Sequence, residues 1–265
     1  MSTETIRPPR AARGRVTQAR VLHSEWIKIH TLRSTFFTLA FAVGAVLAFG
    51  PLVSFFTDGK GHGFQPAEWS LGGYIFAQLA VGVLGVLVVT GEYATGMIRP
   101  TLTAVPSRLP VLWAKAAVYA AVIWVLMTAA SLTAFLLSQA ILSSRGVPST
   151  SLSAPGVTRV VFGTALYLTV LAVLSVGIGA LLRNTAAGIS TVLGLVLVLP
   201  ILTQTLPTAV ADNVFPYLPS SAGRTLAILH QESTMLAPGT GLTVFCLYAA
   251  VVLAAAAVAL KRRDA

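Results

Sequence analysis

Charge is what this sequence has least of. Only 10% of its 265 residues are Asp, Glu, Lys or Arg, against roughly 25% in a soluble domain. So few charges cannot cover a water-facing surface, and 55% of the chain is hydrophobic. The chain therefore reads as a membrane protein before any motif is considered. Cysteine is nearly missing too. The single Cys246 excludes an internal disulfide and a thiolate metal site; inside an apolar run it reads as a small buried or lipid-facing side chain. His23, His30, His62 and His230 are scattered and lie outside the uncharged runs, without the close spacing that a metal pair needs. No GxxxxGK[ST] loop is found to cradle a phosphate, and Gly59-Lys60 lacks the earlier glycine. No catalytic residue, metal site or bound cofactor is expected of this chain.

What is present is a series of long runs without charge. They are Ser34–Thr57, Trp69–Gly91, Ala116–Ser144, Val160–Leu182, Asn184–Ala211 and Ser233–Leu260. Each exceeds the roughly 20 residues that cross a hydrocarbon core as a helix. Lipid offers no partner to backbone N–H and C=O groups, so helix is the default, and the short alternating segments of a barrel are not seen. The expected spans are about 35–56, 70–90, 117–141, 160–182, 186–206 and 240–260. Only Arg183 separates the fourth run from the fifth, so the chain must turn tightly at Arg183-Asn184-Thr185. None of the runs holds Asp, Glu, Lys, Arg or His. An intramembrane ion or proton site needs such residues, which disfavours an ion-coupled carrier.

Residues 1–17 form a basic tail with Arg7, Arg10, Arg13 and Arg15 and little to bury, and are expected to be disordered. The remainder, 18–265, is one transmembrane domain. In 18–33, Val21, Leu22, Trp26, Ile29 and Leu32 recur at helical spacing among Arg20, Lys28 and Arg33. This is the pattern of an amphipathic helix lying in the membrane interface, with Glu25 three residues before Lys28 and in range of an ion pair. The preceding polar stretch is too long for the n-region of a signal peptide, so the first run is expected to be a retained span. With the N-terminus inside, fourteen of the 18 Lys and Arg fall on the cytosolic side, and both termini lie there.

The outer connections are uneven. Segment 58–68 is short, and 145–159 is rich in Pro, Ser and Gly. Segment 206–238 holds four prolines, and SSAGRTLAILHQE within it suggests a short interfacial or re-entrant helix, with Leu226, Ile228 and Leu229 on its apolar side. Small residues four apart, Gly73 with Ala77, Ser175 with Gly179 and Ser190 with Gly194, offer faces for close helix packing.

The polar interval 91–115, GEYATGMIRPTLTAVPSRLPVLWAK, stands apart. Gly96 with Pro100, Pro106 and Pro110 breaks helix continuity. Arg99 and Arg108 suit an acidic partner surface, or simply hold the loop inside. Three readings of Glu92 stay open: a helix cap, a pair with Arg99, or an acceptor for the interfacial helix.

Within this interval Glu92-Tyr93, Gly96, Ile98-Arg99, Thr101-Leu102, Ala104, Pro106, Arg108 and Ala114-Lys115 resemble the connection between the second and third spans of ABC-2 type transporter permeases, especially actinobacterial ones. Ser24-Glu25-Trp26-Ile27-Lys28, followed by Leu32-Arg33-Ser34-Thr35, is similar to the interfacial helix that opens that family. Pro219-Ser220-Ser221-Ala222-Gly223 lies where the family has outer helices. The likeness covers roughly 18–263. It implies an all-α membrane protein of the ABC-2 (type V exporter-like) kind, with six transmembrane helices behind an N-terminal interfacial helix. It implies a permease subunit of the bacterial plasma membrane that exports a hydrophobic or amphiphilic compound. A second permease copy would pair with it, and a separate cytosolic ATPase would hydrolyse ATP with magnesium. Coupling to that ATPase would fall to Glu92, Tyr93, Gly96, Ile98, Arg99, Thr101, Leu102, Pro106 and Arg108. Glu25, Trp26, Lys28 and Arg33 would mark the interfacial helix. The competing expectation is a multispan anchor or resistance protein with no motor.

Overall fold

The structure, a computed structural model, describes residues 17–60, 64–97, 109–229 and 234–262. Among the described residues there are helices and turns and no strand. The N-terminal tail falls outside them.

The chain opens with α1 (Gln18–Thr31) and bends at Leu32, whose extended backbone separates it from α2 (Arg33–Phe56). A short α3 (Pro66–Leu71) leads through Gly72 and Gly73 into α4 (Tyr74–Ala94). Then come α5 (Leu109–Ser144) and α6 (Val157–Leu182). The fifth crossing is composite: α7 (Thr185–Leu193), a π-helical turn (Gly194–Val198) and α8 (Leu199–Thr203). On the connection to the last span lie α9 (Thr208–Val214), a 3-10 turn at Phe215–Tyr217 and α10 (Pro219–Arg224). The chain closes with α11 (Pro238–Arg262). Six of these units are long and apolar enough to cross a membrane, so the chain is a multi-pass membrane protein by length and composition.

Two spans form the centre. The most apolar window of α6 is 67% buried and that of α3–α4 is 56%, against 17% for both α2 and the fifth crossing. Helix α6 packs on α4, α5 and α11, and α2 lies outside, against α4 and α5. Close approach explains the small residues. A Cβ on Gly73 would overlap Ala45 O and sit 2.8 Å from Val46 Cα, so only glycine lets α4 begin directly against α2. One on Gly179 would meet Val86 O at 3.0 Å, and Ser175 is buried on the same face. The Ser190–Gly194 pair does not behave this way: Ser190 is exposed and nothing lies near Gly194.

Several helix bounds differ from the uncharged runs. Backbone hydrogen bonding does not stop at the first charge, so α4 extends to Ala94 and α5 begins at Leu109. Glu92 and Lys115, expected in a polar connection, are helical residues. Helix α5 has 36 residues, about 54 Å at 1.5 Å per residue, so it outreaches a hydrocarbon core of about 30 Å. The fifth crossing is no uniform α-helix either. Pro200 has no N–H to give Val196 and its ring crowds that carbonyl; the chain widens one turn earlier, where Leu199 N–H bonds Gly194 O five residues back, the register of a π-turn.

The turn at 183–185 is as tight as the sequence demands. Arg183 ends α6 in the left-handed region at φ 55°. Asn184 caps α7 by accepting from Ala187 N–H at 2.9 Å. At the opposite end, the described part of the SSAGRTLAILHQE segment, 220–229, is helical through Arg224, with Pro219 in the helix's first turn. Leu226 and Ile228 are nonetheless buried. Cys246 is exposed on α11.

Candidate functional site: a buried charge cluster at one end of the bundle

Helix α1 was expected to bury an apolar stripe, yet its buried residues are Val21, Glu25 and Ile29. Spaced four apart, they share one face, with a carboxylate at its centre. Val21 packs with Val111 and Ala114 at the start of α5. That contact carries Glu25 onto Lys115, one turn beyond Val111, and onto the last turns of α4.

Four charges meet there. Lys115 Nζ donates to Glu25 Oε2 at 2.8 Å, Glu92 Oε1 at 2.6 Å and Val88 O at 3.3 Å. An ammonium has three N–H groups, so Lys115 is fully satisfied. Lys28 Nζ donates to Glu25 Oε1 at 2.6 Å and Glu92 Oε1 at 2.7 Å. Two carboxylates and two ammonium groups thus alternate in a neutral set that ties α1, α4 and α5 together. The side chains of Lys115 and Glu25 are 3% and 4% exposed, whereas that of Lys28 is 32% exposed. Water therefore reaches the set chiefly at Lys28, and to a lesser degree at Glu92.

Each ion is held for a physical reason. A carboxylate in the last turn of α4 sits at the unfavourable end of the helix dipole, and two cations offset this for Glu92. Burial works against the Lys28 ammonium, but hydrogen bonds and charge from Glu25 and Glu92 outweigh it, and its pKa is raised above the usual lysine value of 10.5. Glu92 Oε2 is buried without a hydrogen-bond partner among the described residues.

Past Glu92 the helix ends at once. Thr95 Oγ1 and Thr95 N–H both donate to Gly91 O, and Gly96 turns left-handed at φ 72°, the conformation that glycine adopts without steric cost after a helix. Tyr93 points away from the cluster. Its ring lies 5.4 Å beneath the Arg183 guanidinium, and Arg183 also reaches Ala259 O on α11 at 3.5 Å.

Of the residues proposed from sequence, Glu25, Lys28 and Glu92 converge, and the Glu25–Lys28 pair and the bond from the interfacial helix to Glu92 both exist. Trp26 does not join them; it is exposed and meets His30 with ring centroids 4.1 Å apart and the planes tilted by 42°. Arg33 opens α2 on the exposed surface. Ile98, Arg99, Thr101, Leu102, Pro106 and Arg108 lie outside the described residues, as do His62 and His230. Two participants were missed as such. Lys115 was read as an inside charge and as part of the resembling motif, and Arg183 as an inside charge at a turn, although a lone cation at the mouth of an uncharged run was the available signal.

A second polar assembly closes the opposite end. Glu68 accepts from Leu229 N–H. Arg159 donates to Thr225 O at 3.1 Å and Leu229 O at 3.3 Å. Beneath it Tyr167 donates to Gln78 Oε1 at 2.6 Å and stacks on Phe245. Among the described residues no three His, Cys, Asp or Glu side chains gather as a metal set.

The chain matches no family model and no curated protein.

Proposed function

We propose that this chain is the membrane-spanning permease subunit of an ATP-binding cassette exporter of the ABC-2 kind, working in a bacterial plasma membrane with both termini in the cytosol. The observation that carries the proposal is the Glu25–Lys28–Glu92–Lys115 cluster. It welds the interfacial helix to the end of α4 and the start of α5, the two helices flanking the 95–108 connection. A push on that connection by a docked motor is thereby delivered to α1 and to two spans at once. Energy from a separate ATPase, loaded with ATP and magnesium, accounts for a chain with no phosphate loop of its own. A second permease copy completes the pathway, and its cargo is a hydrophobic or amphiphilic compound.

An ion-coupled carrier gains nothing from the cluster, which sits at one end of the bundle and is internally neutralised. Between Tyr74 and Gly91, Ala116 and Ser144, and Val160 and Leu182 the spans hold no ionisable Asp, Glu, Lys, Arg or His.

The test is purification in mild detergent together with the ATPase encoded beside this chain. ATP hydrolysis by the complex is then compared between the wild type and Gly96→Pro or Arg99→Glu. The expected result is co-purification, with hydrolysis uncoupled from transport in both variants. If no nucleotide-binding protein co-purifies and resistance persists when that ATPase is inactivated, the chain is a motor-free anchor or resistance protein. Transport that survives ATP depletion but not an uncoupler would make it a carrier.

A further inference from the structure

Where α1 bends into α2 at Leu32, the two helices diverge and α5 closes the angle from behind. The space between them is a groove of about 490 Å3, within the roughly 300–1,000 Å3 of small-molecule sites. Its walls come from Trp26 and Ile29 on α1, Leu39 and Val43 on α2, and Val122 and Leu126 on α5. Among all its lining residues only His30 is polar. It runs along α2 from Phe36 to Val43, seven residue steps and about 10 Å of helix rise.

The mouth of the groove has different chemistry. His30 and Phe36 also line a smaller hollow with Arg33. Arg33 is exposed and makes no hydrogen bond or ion pair among the described residues. The one acidic residue between Gln18 and Phe56 is Glu25, which is buried and committed to Lys28 and Lys115. Among the described residues Arg33 is thus a cation without an ionic partner, at the mouth of an apolar slot between α1, α2 and α5.

We propose that this groove is a binding site for one anionic phospholipid of the leaflet in which α1 lies. One acyl chain occupies the slot between α1, α2 and α5, and the phosphate is held by Arg33 beside His30. Bulk lipid wets convex helix surfaces without preference; a concave slot under an unpaired guanidinium selects for head charge. The site is separate from the charge cluster and does not depend on the proposed coupling role.

The experiment uses Trp26 as the reporter in the full-length chain, with Trp69, Trp113 and Trp124 replaced by phenylalanine. The protein is reconstituted at equal mole fraction with phosphatidylglycerol or phosphatidylcholine brominated on the acyl chain. The apparent affinity for phosphatidylglycerol, read as fluorescence quenching, is expected to be roughly fivefold higher, the worth of one basic residue at an anionic surface. Arg33→Gln should abolish the preference while retaining quenching. Ala40→Phe, at an exposed position lining the slot, should reduce quenching by both lipids. Equal quenching by the two lipids in the otherwise wild-type chain overturns the proposal. A preference that survives Arg33→Gln, or quenching unmoved by Ala40→Phe, overturns it as well.

Discussion

Without the Lys115 ammonium, Glu25 and Glu92 face one another across a site that water barely enters. Lys28 alone, partly exposed, cannot neutralise both. Breaking a buried ion pair from one side costs about 3–5 kcal/mol, so Lys115→Met should lower the unfolding free energy in detergent by that order. The cost comes from the stranded carboxylates. Lys115→Met combined with Glu25→Gln should therefore lose less than Lys115→Met alone, a non-additivity that a double-mutant cycle reads directly. Equal or larger loss in the double variant would mean that the cluster is not coupled. Lys28 adds a pH signature. Its pKa is raised in the folded state, so its contribution is fully present below the unfolded value of 10.5 and is lost as pH rises through the folded pKa. Stability followed by denaturant titration should fall in this alkaline window, and Lys28→Met should lack that part of the fall. Only part of this was legible beforehand. Glu25 and Lys28 are three apart, and local helical geometry pairs them. Glu25 and Lys115 are ninety apart, and nothing in either neighbourhood names the other. Their meeting depends on how α1 lies across α5, which is decided by the packing of Val21 on Val111 and Ala114.

At the level of elements, hydropathy locates every span because lipid imposes one condition on all of them. It is silent about what happens inside a span. The π-turn before Pro200, the break at Gly72-Gly73 and the extension of α5 past Lys115 all arise from backbone hydrogen bonding that average apolarity does not register. The small-residue faces show the same limit: Gly73 and Gly179 mark real close approaches, whereas Ser190 and Gly194 have the same spacing and no neighbour. Gly73→Leu should therefore push α4 off α2 and lower the thermal unfolding midpoint in detergent, while Gly194→Leu leaves it nearly unchanged; equal effects would refute the assigned contact. At the end opposite the charge cluster, segment 225–229 follows α10 without a helix of its own, and Arg159 and Glu68 hold it alongside turn bonds from Leu226 N–H to Gly223 O and Ala227 N–H to Arg224 O. Arg159→Leu removes two charge-assisted bonds to its carbonyls. Amide exchange across residues 225–229 should then quicken roughly 10- to 100-fold, with α6 itself unaffected. Unchanged protection there would show that burial of Leu226 and Ile228 suffices to pin the segment.

For the molecule as a whole, an even number of crossings requires Gln18 and Arg262 to share one face, with Lys60 and Ser151 on the other. In the proposed topology, which rests on the distribution of basic residues, the first face is taken as cytosolic; the charge cluster sits at that end because α1, which contributes Glu25 and Lys28, precedes the first crossing. Cys246 is the only cysteine and is exposed on α11, so Cys246→Ala gives a background free of thiols. Single cysteines are then placed by Gln18→Cys, Lys60→Cys, Ser151→Cys and Arg262→Cys, all at exposed described positions. In intact cells a membrane-impermeant maleimide should label positions 60 and 151 and spare 18 and 262; inverted vesicles should give the reverse. Exchange of the two patterns would turn the molecule over and put the cluster, with the 95–108 connection it braces, on the face without ATP. That result would end the coupling role even with the fold intact. Labelling of 60 and 151 from opposite sides would remove a crossing between them and break the six-span architecture. The cluster can transmit force from a cytosolic motor only if the first pattern is found, so topology is the measurement on which the functional proposal turns.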